Sequence, residues 1–198
     1  GGFRQLGNAT KPVHVPDDMK GLKWRTTKSP VEFMLVKNWG ATPTPYDWSQ
    51  LYSGLQSGVV EGQYVASPWQ HVAKLHEVAK YFTEIGGMWS GNILAMDAKQ
   101  YNALSAQEKK WLHTAADAYG EKVNELDNAW IKNGEDAIKA SAKEWYVPSE
   151  AEMSKWREGA IGAWLDAKGT FEPEVAKRVL LEQGMDGFVA QLEKAGAL

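Results

Sequence analysis

Of the 22 basic side chains in this chain only four are arginine: Arg4, Arg25, Arg157 and Arg178. Arg25 lies in the stretch GLKWRTTKSPVEFMLVKNWG, at the end of the alternating run LKWRT and just ahead of a Ser-Pro pair. A guanidinium offers five donors in a planar fork and grips a carboxylate through two parallel bonds; lysine offers a point charge without that geometry. Two roles fit Arg25 equally well. It is either a clamp for the carboxylate of an organic acid or a strand-edge partner for a nearby Asp or Glu.

Other reactive groupings are sparse. His71 and His76 are five residues apart, so they do not share a helix face as an i, i+4 metal pair would, and the chain has no cysteine. Solvated histidines are the better reading, and neither a metal nor a cofactor is expected. There is no G-x-S-x-G elbow, and Gly58-Val-Val-Glu-Gly62 lacks the lysine and spacing of a phosphate loop. Acids such as Glu61, Glu77 and Glu84, together with tryptophans, fit a glycan-acting hydrolase with paired carboxylates, although surface acids explain them more simply.

Ten tryptophans also need a reason. Trp111, Trp130 and Trp164 recur at helical spacing with other apolar residues, which predicts packing between helices. Trp24, Trp48, Trp69 and Trp89 fall at strand ends or first turns of helices, where open α/β sheets carry their ligand crevice. There they would form either a flat aromatic wall or further packing.

The elements that must position these residues are legible from local signals. GFRQLGN (2–8) and LKWRT (22–26) read as strands, separated by a turn at VPDDMKG. Ser29-Pro30 starts a helix whose apolar face is expected to be Val31, Met34 and Leu35, with Gly40 ending it. TPTP (42–45) must be extended, because two prolines exclude helix. Asp47 caps a second helix with Trp48, Leu51 and Leu55 on one face, Gly58 stops it, and VVEGQYV is a third strand. Strands this close are expected to be parallel. A helix near 69–79, strands in YFTEIGG and MWSGNILAMD, and a long helix opening at the capping box Ser105-Ala-Gln-Glu108 follow. Two or three amphipathic helices complete 149–198, with breaks near Gly169 and Gly184.

Bulk properties bound the function. At 198 residues, 43% hydrophobic and 24% charged, the chain has an ordinary globular composition. A net charge of −3 gives no basic field for nucleic acid or an anionic membrane. No apolar run approaches the ~20 residues of a membrane span. The opening GGFRQLGN has neither Met nor a signal peptide, which reads as a mature or truncated piece.

The order of these segments resembles the solute-binding proteins of tripartite ATP-independent periplasmic (TRAP) transporters. That family's pattern is G-x-R-x-x-x-N, then D-x-K-G-L-K-x-R, a helix, G-A-x-P-T-P with an aromatic three residues on, and L-Y-x-A-L-Q-x-G-x-V-D-G-Q. This chain carries nearly all of it in register, from GFRQLGN through LYSGLQSGVVEGQ, and the likeness continues through HEVAKYFT and the S-x-x-E helix. The resemblance implies an α/β, two-lobed periplasmic-binding-protein-like fold with a long lobe-spanning helix. Family members are longer at the N-terminus by most of the first lobe, so this chain is expected to be N-terminally truncated and to begin at the second lobe. On that basis 1–86 is the second α/β lobe, 87–142 the hinge strand and long helix crossing toward the first lobe, and 143–198 C-terminal helices packing on the second lobe.

By position, Arg25 then matches the arginine that binds the ligand carboxylate, and Arg4 a second arginine of the same cleft. Trp48 stands where an aromatic covers the ligand, and Gln63 closes the G-Q motif. Many members continue E-N-P, whose Asn contacts the substrate; here Tyr64-Val65-Ala66 replaces it, which argues against the usual C4-dicarboxylate or sialic acid. Tyr64 and Trp69 suggest a more apolar or aromatic acid, and Trp89 and Asn92, on the returning hinge strand, are expected either to line the cleft or to pack the hinge. The resemblance implies a periplasmic, non-enzymatic receptor that delivers a small organic acid to TRAP membrane permease subunits. A glycan hydrolase, or a sensor subunit using the same cleft, are the rival readings.

Overall fold

GFRQLGN forms strand β1 (Gly2–Asn8) in the computed structural model, which describes residues 1–198. After a 3-10 turn at Pro16–Met19 come β2 (Lys23–Thr26), α1 (Pro30–Asn38) and β3 (Thr42–Pro45). A 3-10 turn at Trp48–Gln50 leads into α2 (Leu51–Ser57), which ends at Gly58 in the left-handed conformation, φ 73°. Next are β4 (Gly62–Ala66), α3 (Ser67–Val72), α4 (Leu75–Val78), β5 (Tyr81–Thr83) and the short β6 (Trp89–Ser90). The chain finishes with α5 (Ala98–Ala103), α6 (Ala106–Ser141), β7 (Glu144–Tyr146), α7 (Glu150–Asp166), α8 (Pro173–Glu182) and α9 (Asp186–Ala195).

The strands form one sheet in the order β3-β2-β4-β1-β5-β7, with β6 also paired to β1. β2 runs parallel to β3 and β4, as expected, but β1 is antiparallel to both β4 and β5. The parallel arrangement expected of the three strands in 22–66 stands, while β1, for which no direction was expected, enters the middle of the sheet from the opposite direction. This reversal positions the site. It brings the start of β1 beside the C-terminal ends of β2 and β4, with Arg4 opposite Ala66.

One core cluster lies between the sheet and helices α1 and α7, built on Leu6, Trp24, Val36, Trp39, Tyr64 and Trp156. Trp24 is fully buried, and the Trp39 and Trp156 rings meet edge to face at 5.1 Å. On the opposite side α6 packs by its C-terminal half, through Ile138 on Phe82 and Ala79, and through α3. A second cluster, on Leu180, Phe188 and Leu192, ties α8 and α9 together against Trp164 of α7.

Several local expectations are corrected. The buried stripe of α1 is Glu32, Val36 and Trp39, while Val31 and Phe33 face outward, because a buried ion pair turns Glu32 inward. Trp48 belongs to the 3-10 turn and stays exposed, so it does not share the buried face of Leu51 and Leu55. The helix expected at 69–79 starts earlier, at Ser67, and breaks at Lys74, whose φ is +57°. MWSGNILAMD is a strand only at Trp89–Ser90, and β7 was not anticipated. Trp111 is not core; it is 64% exposed.

Gly134 marks the tightest contact between α6 and α3. A Cβ there would lie 2.7 Å from the Cα of Pro68, a backbone atom that cannot swing aside. Gly134→Ala gains about 1 kcal/mol of helix propensity. Overpacking costs about 1–3 kcal/mol, so a net destabilisation is expected, read as a lower urea midpoint at unchanged slope. An unchanged or raised midpoint would mean that the two helices separate freely at this point.

Candidate functional site

Arg25 sits at the end of β2, where the parallel ladder to β3 continues into Tyr46, whose N–H donates to the Thr26 carbonyl at 3.1 Å. The Tyr46 carbonyl in return accepts the Nε–H of Arg25 at 3.1 Å. That bond uses the inner edge of the guanidinium. The two terminal nitrogens have no hydrogen-bond partner in the protein, and the residue lines a cavity of about 350 Å³. The side chain is only 5% exposed. Burial, reinforced by neighbouring Arg4 and opposed by Glu32, pushes its pKa below the ordinary arginine value. A cation so placed is electrostatically unsatisfied and gains from an anion in the cavity.

The cavity wall is assembled from six segments at one end of the central strands. Thr27 follows Arg25, Val65 and Ala66 end β4, Arg4 comes from β1 and Ser90 from β6. Trp48 enters from the 3-10 turn, held by Asp47, whose side chain accepts the Ser49 N–H at 2.9 Å. Its ring lies 5.8 Å from the Arg25 guanidinium carbon, a cation–π distance. Trp69 stands on the first turn of α3, its ring edge to face with Trp130 of α6 at 5.0 Å. Both tryptophans remain about two-fifths exposed, at 40% and 41%.

Arg4 is differently engaged. Its Nε donates to the Ser90 hydroxyl at 3.0 Å and its Nη1 lies 3.4 Å from Glu32 Oε1. Glu32 is 2% exposed, and its other oxygen accepts from the backbone N–H and the hydroxyl of Thr27.

The structure therefore brings Arg4, Arg25, Trp48 and Trp69 together and leaves four other expected residues outside. Gln63 is buried under the sheet, its amide donating to Gln70 Oε1 at 2.6 Å, while Gln70 in turn donates to the Gln5 and Val65 carbonyls. Tyr64 is fully buried in the Trp39 cluster, and burial pushes its phenol well above the usual value. The wall expected of Tyr64 is supplied instead by Val65, on the opposite face of β4 from Tyr64, and by Ala66 at the end of the strand. Trp89 packs edge to face on Phe3 at 5.0 Å outside the cavity, although its neighbour Ser90 lines it. Asn92 lies exposed in a segment without regular structure. Sequence reasoning missed Glu32, Thr27, Val65, Ala66 and Ser90. The S-x-x-E spacing of Ser29 and Glu32 was the one available signal for Glu32.

Two larger recesses exist. One, about 710 Å³, is bordered by Leu94, Tyr101 and Tyr119; the other, about 590 Å³, by Trp89, Trp156 and Trp164. Both are mainly apolar, and the only arginine they border, Arg157, is paired with Glu150. Of these three, the smallest combines a buried cation with aromatic walls. No helix is long and apolar enough to cross a membrane.

Comparison with known proteins gives the family. Residues 1–169 match the family described as bacterial extracellular solute-binding protein, family 7. The chain is 30% identical over 136 residues to the ectoine-binding periplasmic protein TeaA of Halomonas elongata, covering 69% of this chain and 40% of that protein. It is 29% identical over 125 residues to the 2,3-diketo-L-gulonate-binding periplasmic protein YiaO of Escherichia coli, covering 63% and 38%. The chain thus spans about two-fifths of the length of these curated relatives. Among solved structures, the Halomonas elongata ectoine-binding protein superposes with a TM-score of 0.73 at 25% identity, covering 97% of this chain and 61% of that one. A TRAP periplasmic solute-binding protein from a Sulfitobacter species, solved with bound β-D-galacturonate, gives 0.77 at 20% identity, covering 94% and 58%.

Proposed function

The chain belongs to the bacterial extracellular solute-binding proteins of family 7, and from that membership we propose that its cleft holds a small organic acid by a bidentate salt bridge to Arg25. The observation that carries the proposal is the buried guanidinium with only its Nε occupied, in a residue that lines a cavity together with Trp48. Arg4 adds positive charge beside it, and Trp48, Trp69, Val65 and Ala66 form a wall suited to an apolar or aromatic body. The family is one of binding proteins rather than enzymes, so the hydrolase reading is set aside.

In this reading residues 1–86 are one lobe of a two-lobed cleft, 87–142 the connecting strand and helix, and 143–198 helices that brace the lobe. The ligand favours the closed arrangement by its greater affinity for it. Closure excludes water, which strengthens the arginine–carboxylate pair and rejects neutral analogues. The closed receptor, in the periplasm, then delivers the acid to TRAP-type permease subunits. The similarity to the periplasmic ectoine-binding protein of the TeaABC TRAP transporter of Halomonas elongata supports that last step.

A thermal-shift panel on the intact protein tests the proposal, each small organic acid run beside its neutral amide. A ligand raises the melting temperature only if the native state binds it better than the unfolded state does. A rise with an acid and none with its amide is expected. Equal rises with both would remove the carboxylate from the account.

A further inference from the structure

The cleft contains two guanidinium groups and, behind them, one deeply buried carboxylate. Glu32 does not border the cavity, yet the Ser29 cap of α1 sets it on the first turn, with its side chain directed at Arg4. One of its oxygens is held by Thr27; the other lies 3.4 Å from Arg4 Nη1 with no hydrogen bond of its own. Arg4 is thus engaged on two sides, by Ser90 and by Glu32, whereas the terminal nitrogens of Arg25 are engaged by nothing in the protein. The nearest other acid, Asp47, is solvent-exposed and occupied by Ser49, so water screens it. The charge at the cleft is therefore two positive, Arg25 buried and Arg4 partly exposed, and one negative, Glu32 buried.

We propose that Glu32 is a specificity-determining residue: its single carboxylate, set against two arginines, leaves the cleft one net positive charge and commits it to a monocarboxylate with an apolar body. The inference rests on the reading of Arg25 as the carboxylate clamp and goes further by naming the charge class of the ligand. With a monocarboxylate on Arg25 the closed cleft is neutral. A second carboxylate would bring a charge with no free cation to meet it, close to the Glu32 carboxylate, in a site from which water has been excluded. The remaining wall of Trp48, Trp69, Val65 and Ala66 supplies no cation either. Like charges juxtaposed in a desolvated interface are strongly unfavourable, which is how such sites reject wrong partners.

The test uses calorimetric titration of the intact protein with hexanoate, phenylacetate, adipate and hexanamide. Wild type is expected to bind the monocarboxylates about tenfold or more tighter than adipate, and hexanamide not measurably. Glu32→Gln keeps an acceptor for Thr27 and removes the charge. It should strengthen adipate binding by about tenfold and change hexanoate by less than about threefold. Adipate binding as tightly as hexanoate to wild type overturns the proposal without any variant, which covers the case in which Glu32→Gln does not fold. If Arg25→Lys weakens hexanoate while Glu32→Gln leaves the hexanoate-to-adipate ratio unmoved, the clamp stands and Glu32 is structural only. If hexanamide binds like hexanoate, or if neither acid class binds, the clamp and this inference both fall.

Discussion

Replacing Arg25 by lysine is expected to weaken binding of the cognate acid by about 1.5–3 kcal/mol, roughly 10- to 150-fold in Kd. The substitution keeps the charge, so a purely electrostatic site would barely register it. The expected loss comes from geometry. Arg25 Nε is tied to the Tyr46 carbonyl at 3.1 Å, which holds the guanidinium in place and leaves both terminal nitrogens without a protein partner beside the cavity that Arg25 lines. A lysine ammonium cannot bond the Tyr46 carbonyl and also offer two parallel donors to a carboxylate. It also forfeits the planar contact with the Trp48 ring at 5.8 Å. Calorimetry on both forms checks this; affinity retained within about twofold would place the acid's recognition elsewhere in the cleft.

The second large effect concerns stability. Trp156 on α7 is 2% exposed, meets Trp39 edge to face at 5.1 Å, and donates from its indole nitrogen to the His14 carbonyl at 3.0 Å. The Trp39 indole in turn donates to the Trp156 carbonyl at 3.1 Å. These two tryptophans join α1, α7 and the loop after β1 into the core that also contains Trp24 and Tyr64. Trp156→Ala should therefore cost about 3–5 kcal/mol, a large part of the 5–15 kcal/mol typical of a domain. Trp156→Phe, which keeps most of the ring packing, should cost clearly less. Chemical denaturation reads both. Near-neutral behaviour of Trp156→Ala would mean that α7 contributes little to holding this lobe.

Local signals explain which parts of the fold were legible. Ser29-Pro30, the Asp47 cap, the prolines of TPTP, Gly58 and the Ser105/Glu108 capping box each act within a few residues, and each stands where expected. What local signals could not convey was partnership. The antiparallel entry of β1 depends on strands distant in sequence, and so does the inward turn of Glu32, which exists for the sake of Arg4. Lys74 breaks a helix with neither Gly nor Pro to announce it. Trp111 follows helical periodicity on a face of α6 that nothing in this chain covers, so periodicity alone suggested burial that is not there.

The same distinction holds at the cleft. Arg4 and Trp48 are placed at the cleft by the family resemblance, Arg25 by its chemistry together with that resemblance, and Trp69 by its position at the first turn of an expected helix; the structure sets all four around one cavity. Tyr64 and Val65 were not separable, because one position along a strand reverses the face a side chain occupies, and only the completed sheet decides which face borders the ligand.

The most direct measurement is a crystal structure of the intact protein with the tightest-binding acid from the thermal-shift panel. Both carboxylate oxygens are predicted to lie about 2.7–2.9 Å from the two terminal nitrogens of Arg25, with the body of the ligand against Trp48. A carboxylate held by other donors or turned to solvent, with the Arg25 fork unoccupied, would contradict the account.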